Sequence, residues 1–159
     1  MIISLVEYDG SIIKFIAGIY RGFNGPVDGI AAEPVYLDIY IPPLKFKKFP
    51  FDTRRQGFAY IFEGEGNFNN ASKPVGVKVE KEFQGQEIEL RDLSGNRTLV
   101  VFDSGDEVAV QAGENGVRFL LISGTPIKEP VAWHGPIVMN SQEELRQAFN
   151  ELNNGTFIK

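Results

Sequence analysis

The sequence predicts an all-β domain, a barrel or sandwich of short strands closed by one short C-terminal α-helix. Three observations carry this expectation. The chain holds 13 Phe and 5 Tyr against 2 Met, and aromatic side chains suit the pleated surface of a sheet. Its 17 Gly and 9 Pro supply turn signals roughly every 8–12 residues, the spacing of sandwiches and barrels. Only near the C-terminus does alternation give way to a helical stripe.

The elements follow in order. Residues 1–20 read as a hairpin of two β-prone runs joined by a two-residue Asp9-Gly10 turn. Gly22, Gly25 and Pro26 mark a loop. Val35, Leu37, Ile39 and Ile41 then alternate with Tyr36, Asp38 and Tyr40, which predicts a strand with two different faces. A connection carrying Lys45, Lys47, Lys48, Arg54 and Arg55 leads into a strand from Gly57 that meets a turn at Gly64 and Gly66. Further strands are expected at Val75–Glu80, Leu99–Phe102, Val108–Gln111 and Val117–Ile122, with a tight turn at Asp103-Ser104-Gly105-Asp106. Ser141 and Glu144 have the spacing of a capping box, and Leu145, Ala148, Phe149 and Leu152 line one face of a helix over 141–153. This helix is expected to pack on the outside of the barrel, and no repeat or linker suggests a second domain.

Composition excludes several classes of function. The chain has 159 residues and a net charge of −5, which disfavours a nucleic-acid binder, since such affinity comes from neutralised phosphates. Without cysteine there are no disulfides, thiolate metal sites or cysteine nucleophiles. No apolar run approaches a membrane span and no signal-peptide layout opens the chain, so a cytoplasmic location is expected.

The segment from Arg118 to Phe157 resembles the C-terminal end of the pirin family. The resemblance lies in an apolar strand ending at Gly124, then Pro126, Glu129-Pro130-Val131, Gly135-Pro136, Val138-Met139-Asn140 and the helix. Upstream, Ile16-Ala17-Gly18, Gly25-Pro26-Val27, Tyr36-Leu37-Asp38 and Tyr60-Ile61-Phe62-Glu63-Gly64-Glu65-Gly66 fit in the same order. Pirins look like two cupin barrels in tandem, and the match is to the second alone. The resemblance implies a cupin-like double-stranded β-helix, a jelly-roll barrel. It also implies that the family's iron is held by histidines and a glutamate of a first barrel, which has no counterpart in this sequence.

A cupin metal motif was sought independently. Aligned on Gly64, the motif's glutamate falls on Gly57 and its histidine pair near Pro50–Thr53, where only Asp52 carries a donor. Aligned on Gly105, its last histidine falls on Val108. A histidine site needs about three protein ligands, so no metal ligand, no cofactor and no catalytic residue is assigned. The remaining candidates are weak by type. His134, the sole histidine, lies between turn prolines with no carboxylate beside it. Glu63 and Glu65 stand two apart and would share a face of an extended strand, as an acid–base pair requires. The basic connection, with Phe46, Phe49 and Phe51 interleaved, suits a loop tucked into the barrel better than a nucleic-acid surface.

The expectation is therefore a structural or protein-interaction domain without its own metal site. It would form a homodimer through the N-terminal hairpin, or pair with a separate metal-bearing cupin chain, and bind neither nucleic acid nor membrane. The alternatives are part of a quercetin 2,3-dioxygenase-like oxygenase whose metal-bearing half is on another chain, or a barrel binding a small ligand between Phe58, Tyr60 and Phe119.

Overall fold

The computed structural model describes residues 3–69, 75–76, 94–103 and 105–158. Contacts divide the chain into two compact units, Met1–Pro126 and Ile127–Lys159. The first contains β1 (Ile3–Val6), β2 (Ile12–Ala17), β3 (Ile19–Tyr20), β4 (Phe23–Asn24), β5 (Val35–Ile41), β6 (Phe46–Pro50), β7 (Gln56–Asn69), β8 (Val75–Gly76), β9 (Ser94–Gly95), β10 (Thr98–Val101) and β11 (Glu107–Gly124). The second contains β12 (Ala132–His134), β13 (Ile137–Met139) and α1 (Gln142–Asn153). The strand expected at Val75–Glu80 lies outside the described residues beyond Gly76, as does Ser104 of the expected turn.

Antiparallel pairing runs β1-β2-β5-β11-β7-β10-β8, with β6 added to β11 and β9 to β7. In β5 the alternation is exact: Val35, Leu37, Ile39 and Ile41 are buried, and Tyr36, Asp38 and Tyr40 face outward. The two strands expected at 108–111 and 117–122 are one strand, β11. Its first half pairs with β6 and its second with β5, while β7 runs along both. Residues 113–116 (Gly-Glu-Asn-Gly) form the bulge between the halves, where the register against β7 shifts. A bulge bends a strand without ending it, so turn residues here mark a corner rather than a break.

The first hairpin turns differently from expectation. Glu7 pairs with Ser11 (N···O 2.9 Å), and the Gly10 N–H donates to the Glu7 carbonyl at 2.9 Å. The loop is thus Tyr8-Asp9-Gly10, with only Gly10 at positive φ (84°). A two-residue Asp9-Gly10 turn would put Asp9 there too, at a steric cost. Asp9 instead accepts the Ser11 N–H at 3.0 Å and an ion pair from Lys47 at 2.9 Å. Partial burial alone would raise its pKa, but the Lys47 and Ser11 hydrogen bonds outweigh this and bring the carboxyl down to about 2.

In the second unit β12 and β13 form a hairpin whose tip is Gly135-Pro136, with Gly135 at φ 56°. Glycine followed by proline fits a type II′ turn, which needs positive φ only at its first central position. Ala132 and Ile137 of the hairpin cluster with Leu145 and Ala148 of α1, and Met139 and Phe149 pack at the margin. Phe149 meets His134 of the hairpin edge-on, with ring centroids 5.3 Å apart, and Leu152 on the same helix face is 45% exposed.

Both helix ends are capped by the residues the sequence offers. Ser141 Oγ accepts from the Glu144 N–H at 3.2 Å, and Glu144 returns a carboxylate to the Ser141 N–H at 2.9 Å. Gly155 N–H donates to Leu152 O and Thr156 N–H to Glu151 O, a Schellman ending. Ser141→Ala is expected to destabilise the helix by about 1 kcal/mol, read as faster amide exchange in its first turn.

Candidate functional site

The inside of a barrel is where a β fold of this size would hold a ligand. Here it is filled. Phe119 of β11 is 0% exposed and meets Phe49 and Phe68 edge-on, with ring centroids 6.1 and 5.1 Å apart. Phe68 continues to Phe102 and Phe102 to Phe51, at 6.4 and 6.0 Å. Leu37, Ile39, Ile41, Ala59, Ile61, Val100, Val108 and Val110 close around them. Edge-to-face packing of this kind adds about 0.5–1.5 kcal/mol per pair beyond burial. Among the described residues the buried polar ones are Ser11 and Ser123 alone.

This overturns the pocket expected between Phe58, Tyr60 and Phe119. Ala59 and Ile61 point inward, while Phe58 and Tyr60 lie on the opposite face of β7. Alternation offers two faces, and aromatic size alone favours the one bearing Phe58 and Tyr60. The interior takes the smaller face of β7 because Phe49, Phe68 and Phe119 already occupy the space.

The positions aligned with a cupin motif carry the same lesson. A Cβ on Gly57 would lie 2.3 Å from Phe51 Cζ and 2.8 Å from the Ile122 carbonyl, so no larger side chain fits there. Val108 is buried in the core. Asp52 is turned outward and held by Arg54 through both carboxylate oxygens, at 3.1 and 2.9 Å. These contacts hold the Asp52 carboxyl down at about 2.

Inward positions on β7 are odd as far as Ile61 (Ala59, Ile61) and even from there on (Gly66, Phe68). The register shift between Arg118 and Phe119, which passes over Phe62, makes the switch. Glu63 and Glu65 both follow it and lie off the inward set, each against a different neighbour. Glu63 is exposed and pairs with Arg118 at 3.8 Å, and Glu65 lies against Gly113 of the β11 bulge. His134 is exposed on β12, with its ring edge-on to Phe149 at 5.3 Å.

Of the basic connection, Lys47 pairs with Glu7 and Asp9, Lys48 with Glu107, Arg54 with Asp52 and Arg55 with Glu33. Phe49 is buried, so most of these cations are matched to carboxylates and one of the interleaved aromatics belongs to the core.

Sequence reading did not single out the charged ladder crossing the outer face of the sheet. Lys14, Asp38, Arg118 and Glu63 stand on β2, β5, β11 and β7, which are neighbours. Arg118 grips Asp38 with two bonds, at 2.9 and 2.6 Å, Lys14 adds a pair at 3.7 Å, and the guanidinium lies 5.0 Å over the Phe62 ring. The Arg118 bonds, opposed by burial and aided by Lys14, hold the Asp38 carboxyl below its ordinary value. A group depressed in the folded state contributes stability above its unfolded pKa of about 3.9, which is lost as pH falls through the folded value. Asp38→Asn is therefore expected to cost roughly 2 kcal/mol at neutral pH and to flatten the acid limb of stability below about pH 4, measured by urea unfolding across pH.

Comparisons with known proteins decide the family. The model of the pirin C-terminal cupin domain matches residues 36–158. This chain belongs to the pirin family. The pirin domain is 43% identical over 157 residues to a Thermoplasma acidophilum protein bearing the provisional name quercetin 2,3-dioxygenase, covering 94% of this chain and 52% of that protein. It is 33% identical over 151 residues to a pirin-like protein of Caulobacter vibrioides, covering 94% and 47%. The pirin domain thus spans about half the length of the relatives it matches. Its fold is also that of half a quercetin 2,3-dioxygenase structure from Acinetobacter baumannii, with a TM-score of 0.74 and 22% identity over 98% of this chain and 47% of that one. The metal that the pirin family implies finds no fit in this barrel: Gly57 and Val108 offer no donor atoms, and among the described residues no three His, Cys, Asp or Glu converge.

Proposed function

We propose that this pirin C-terminal barrel acts as a metal-free structural and protein-interaction domain. The observation that supports this reading most is the interior of interlocked phenylalanines, which leaves no room and no donor atoms where a cupin performs chemistry. The first partner to test is a second copy of the chain. Strand β1 ends the sheet among the described residues, and Ile3 and Val6 on it are 43% and 65% exposed. A free edge with apolar side chains is a template for another strand, and two-fold pairing is the commonest way to use one. Light scattering at micromolar concentration should read about twice 17.7 kDa. A single-chain mass would remove the homodimer from the reading.

A second reading rests on the names of the relatives: the domain supports a quercetin 2,3-dioxygenase-like reaction whose metal lies in another barrel, in the same protein or a separate chain. Under both readings the chain supplied with iron and quercetin by itself turns nothing over, and oxidation of quercetin by it would overturn both.

A further inference from the structure

Two crevices of about 280 and about 220 Å³ open side by side in the first unit. Ile19 and Arg55 line both. The first is walled by Val27, Ile30 and Pro34 with Asp28 and Glu33 among them, and the second by Val35, Phe51 and Leu121 with Asp52 among them. We propose that Arg55, which lines both crevices, anchors a binding site for a small carboxylate with a flat apolar body. The proposal goes beyond the interaction role and does not depend on it.

Arg55 is ion-paired with Glu33 and Asp52, yet most of its N–H donors make no hydrogen bond among the described residues. Its side chain is 19% exposed, and its one side-chain hydrogen bond among the described residues goes from Nη1 to the main-chain oxygen of Glu33. A guanidinium has five N–H donors. The nearest carboxylate oxygens, on Glu33 and Asp52, stand 3.5 and 3.9 Å away, beyond hydrogen-bond length. Asp52 is already engaged by Arg54, and Glu33 is 80% exposed and easily displaced. A largely desolvated cation with unused donors favours an anion that can accept from two of them.

The second crevice adds two hydroxyls, beside the Asp52 carboxylate that Arg54 engages. Tyr20 lines it, and its hydroxyl is buried without a hydrogen-bond partner. Burial pushes the phenol up to about 12, against the opposing pull of Arg21, so at neutral pH it is an O–H donor. Ser123, 8% exposed, lines the same wall. A buried hydroxyl left unmatched is costly, and a ligand's acceptor oxygen recovers that cost. The apolar walls and the small volumes set the rest of the ligand: a compact ring or branched chain rather than a large polar body.

The turn that carries Glu33 into the wall of the first crevice is strained. Ala32 and Glu33 both adopt positive φ, 69° and 46°, which is costly for residues with a Cβ. The turn is held by Thr125 N–H to Ala32 O at 2.8 Å, by Glu33 N–H to Ile30 O at 3.0 Å, and by Arg55 on the Glu33 carbonyl. The same guanidinium therefore fixes the wall and faces the space beside it.

Benzoate is the probe, with benzamide and benzylamine as its neutral and cationic counterparts, and titration calorimetry or ligand-observed NMR as the measurement. Benzoate is expected to bind at least about tenfold tighter than either counterpart, and R55Q to lose that preference. Because R55Q also frees the strained turn, E33Q provides the second arm. It keeps the carbonyl that Arg55 holds and removes the competing carboxylate, so it should tighten benzoate severalfold and leave benzamide unchanged. Equal binding of the three probes, no benzoate binding at about 10 mM (a limit of roughly 3 kcal/mol of affinity), or unchanged or weaker benzoate binding in E33Q would overturn the proposal.

Discussion

Phe119→Ala is expected to lower the stability of the barrel by about 3–5 kcal/mol, the largest loss from any single truncation in this core. Phe119 is fully buried, and its ring is the junction of the chain of aromatics, with Phe49 on one side and Phe68 on the other. Phe68 cannot collapse into the space, because it is braced by Phe102 and Phe102 by Phe51. A cavity that cannot collapse sits at the high end of such losses. Phe58→Ala, on the opposite face of β7, should cost well under half as much in the same urea titration. Equal losses would mean that the inward face of β7 has been misassigned.

Gly64→Ala should be nearly as damaging, at about 3 kcal/mol or more, by a different mechanism. Gly64 has φ 69°, and a Cβ there would stand 2.1 Å from the Gly116 carbonyl oxygen. That carbonyl cannot retreat, since Gly116 is itself at φ 78° and closes on the Ile41 carbonyl. The two glycines face each other where β7 runs past the β11 bulge, and the close approach of the strands there depends on both. Gly105→Ala is the control: its Cβ would meet nothing closer than 3.9 Å, so a change within about 0.5 kcal/mol is expected. Thermal unfolding of the two variants side by side separates a steric clash from a general intolerance of alanine.

Local chemistry was legible wherever one residue type had one use. The alternation from Val35 to Ile41, the Ser141–Glu144 box and the Asn154-Gly155 ending all follow from short-range rules, and all stand in the structure. What escaped reading depended on distant partners. Asp9-Gly10 has the composition of a two-residue turn, yet Lys47, 38 residues away in sequence, rewards a geometry that leaves Asp9 facing it. Gly113 to Gly116 looks like a turn between two strands and is a bulge within one, because β5, β6 and β7 all pair with β11 around it. Phe58 and Tyr60 were assigned inward because size alone does not tell a filled interior from an outer face that packs half-buried.

The candidate site divides along the same line. The absence of donor atoms at Gly57 and Val108 could be read from residue type, since no fold gives a glycine or valine a metal-binding side chain. The Lys14–Asp38–Arg118–Glu63 ladder and the Arg55 crevices could not, because each joins residues tens of positions apart through sheet register or a returning loop. Sequence spacing instead pairs Glu63 with Glu65, whereas Arg118 reaches Glu63 and Gly113 of the β11 bulge lies against Glu65.

Metal content tests the filled, donor-free interior most directly. Native mass spectrometry of the purified chain after incubation with ferrous iron, copper or zinc should show the apo mass of 17.7 kDa per chain, with no stoichiometric adduct. One metal ion retained per chain would contradict it, because it would require donor atoms that the phenylalanine-filled interior does not hold.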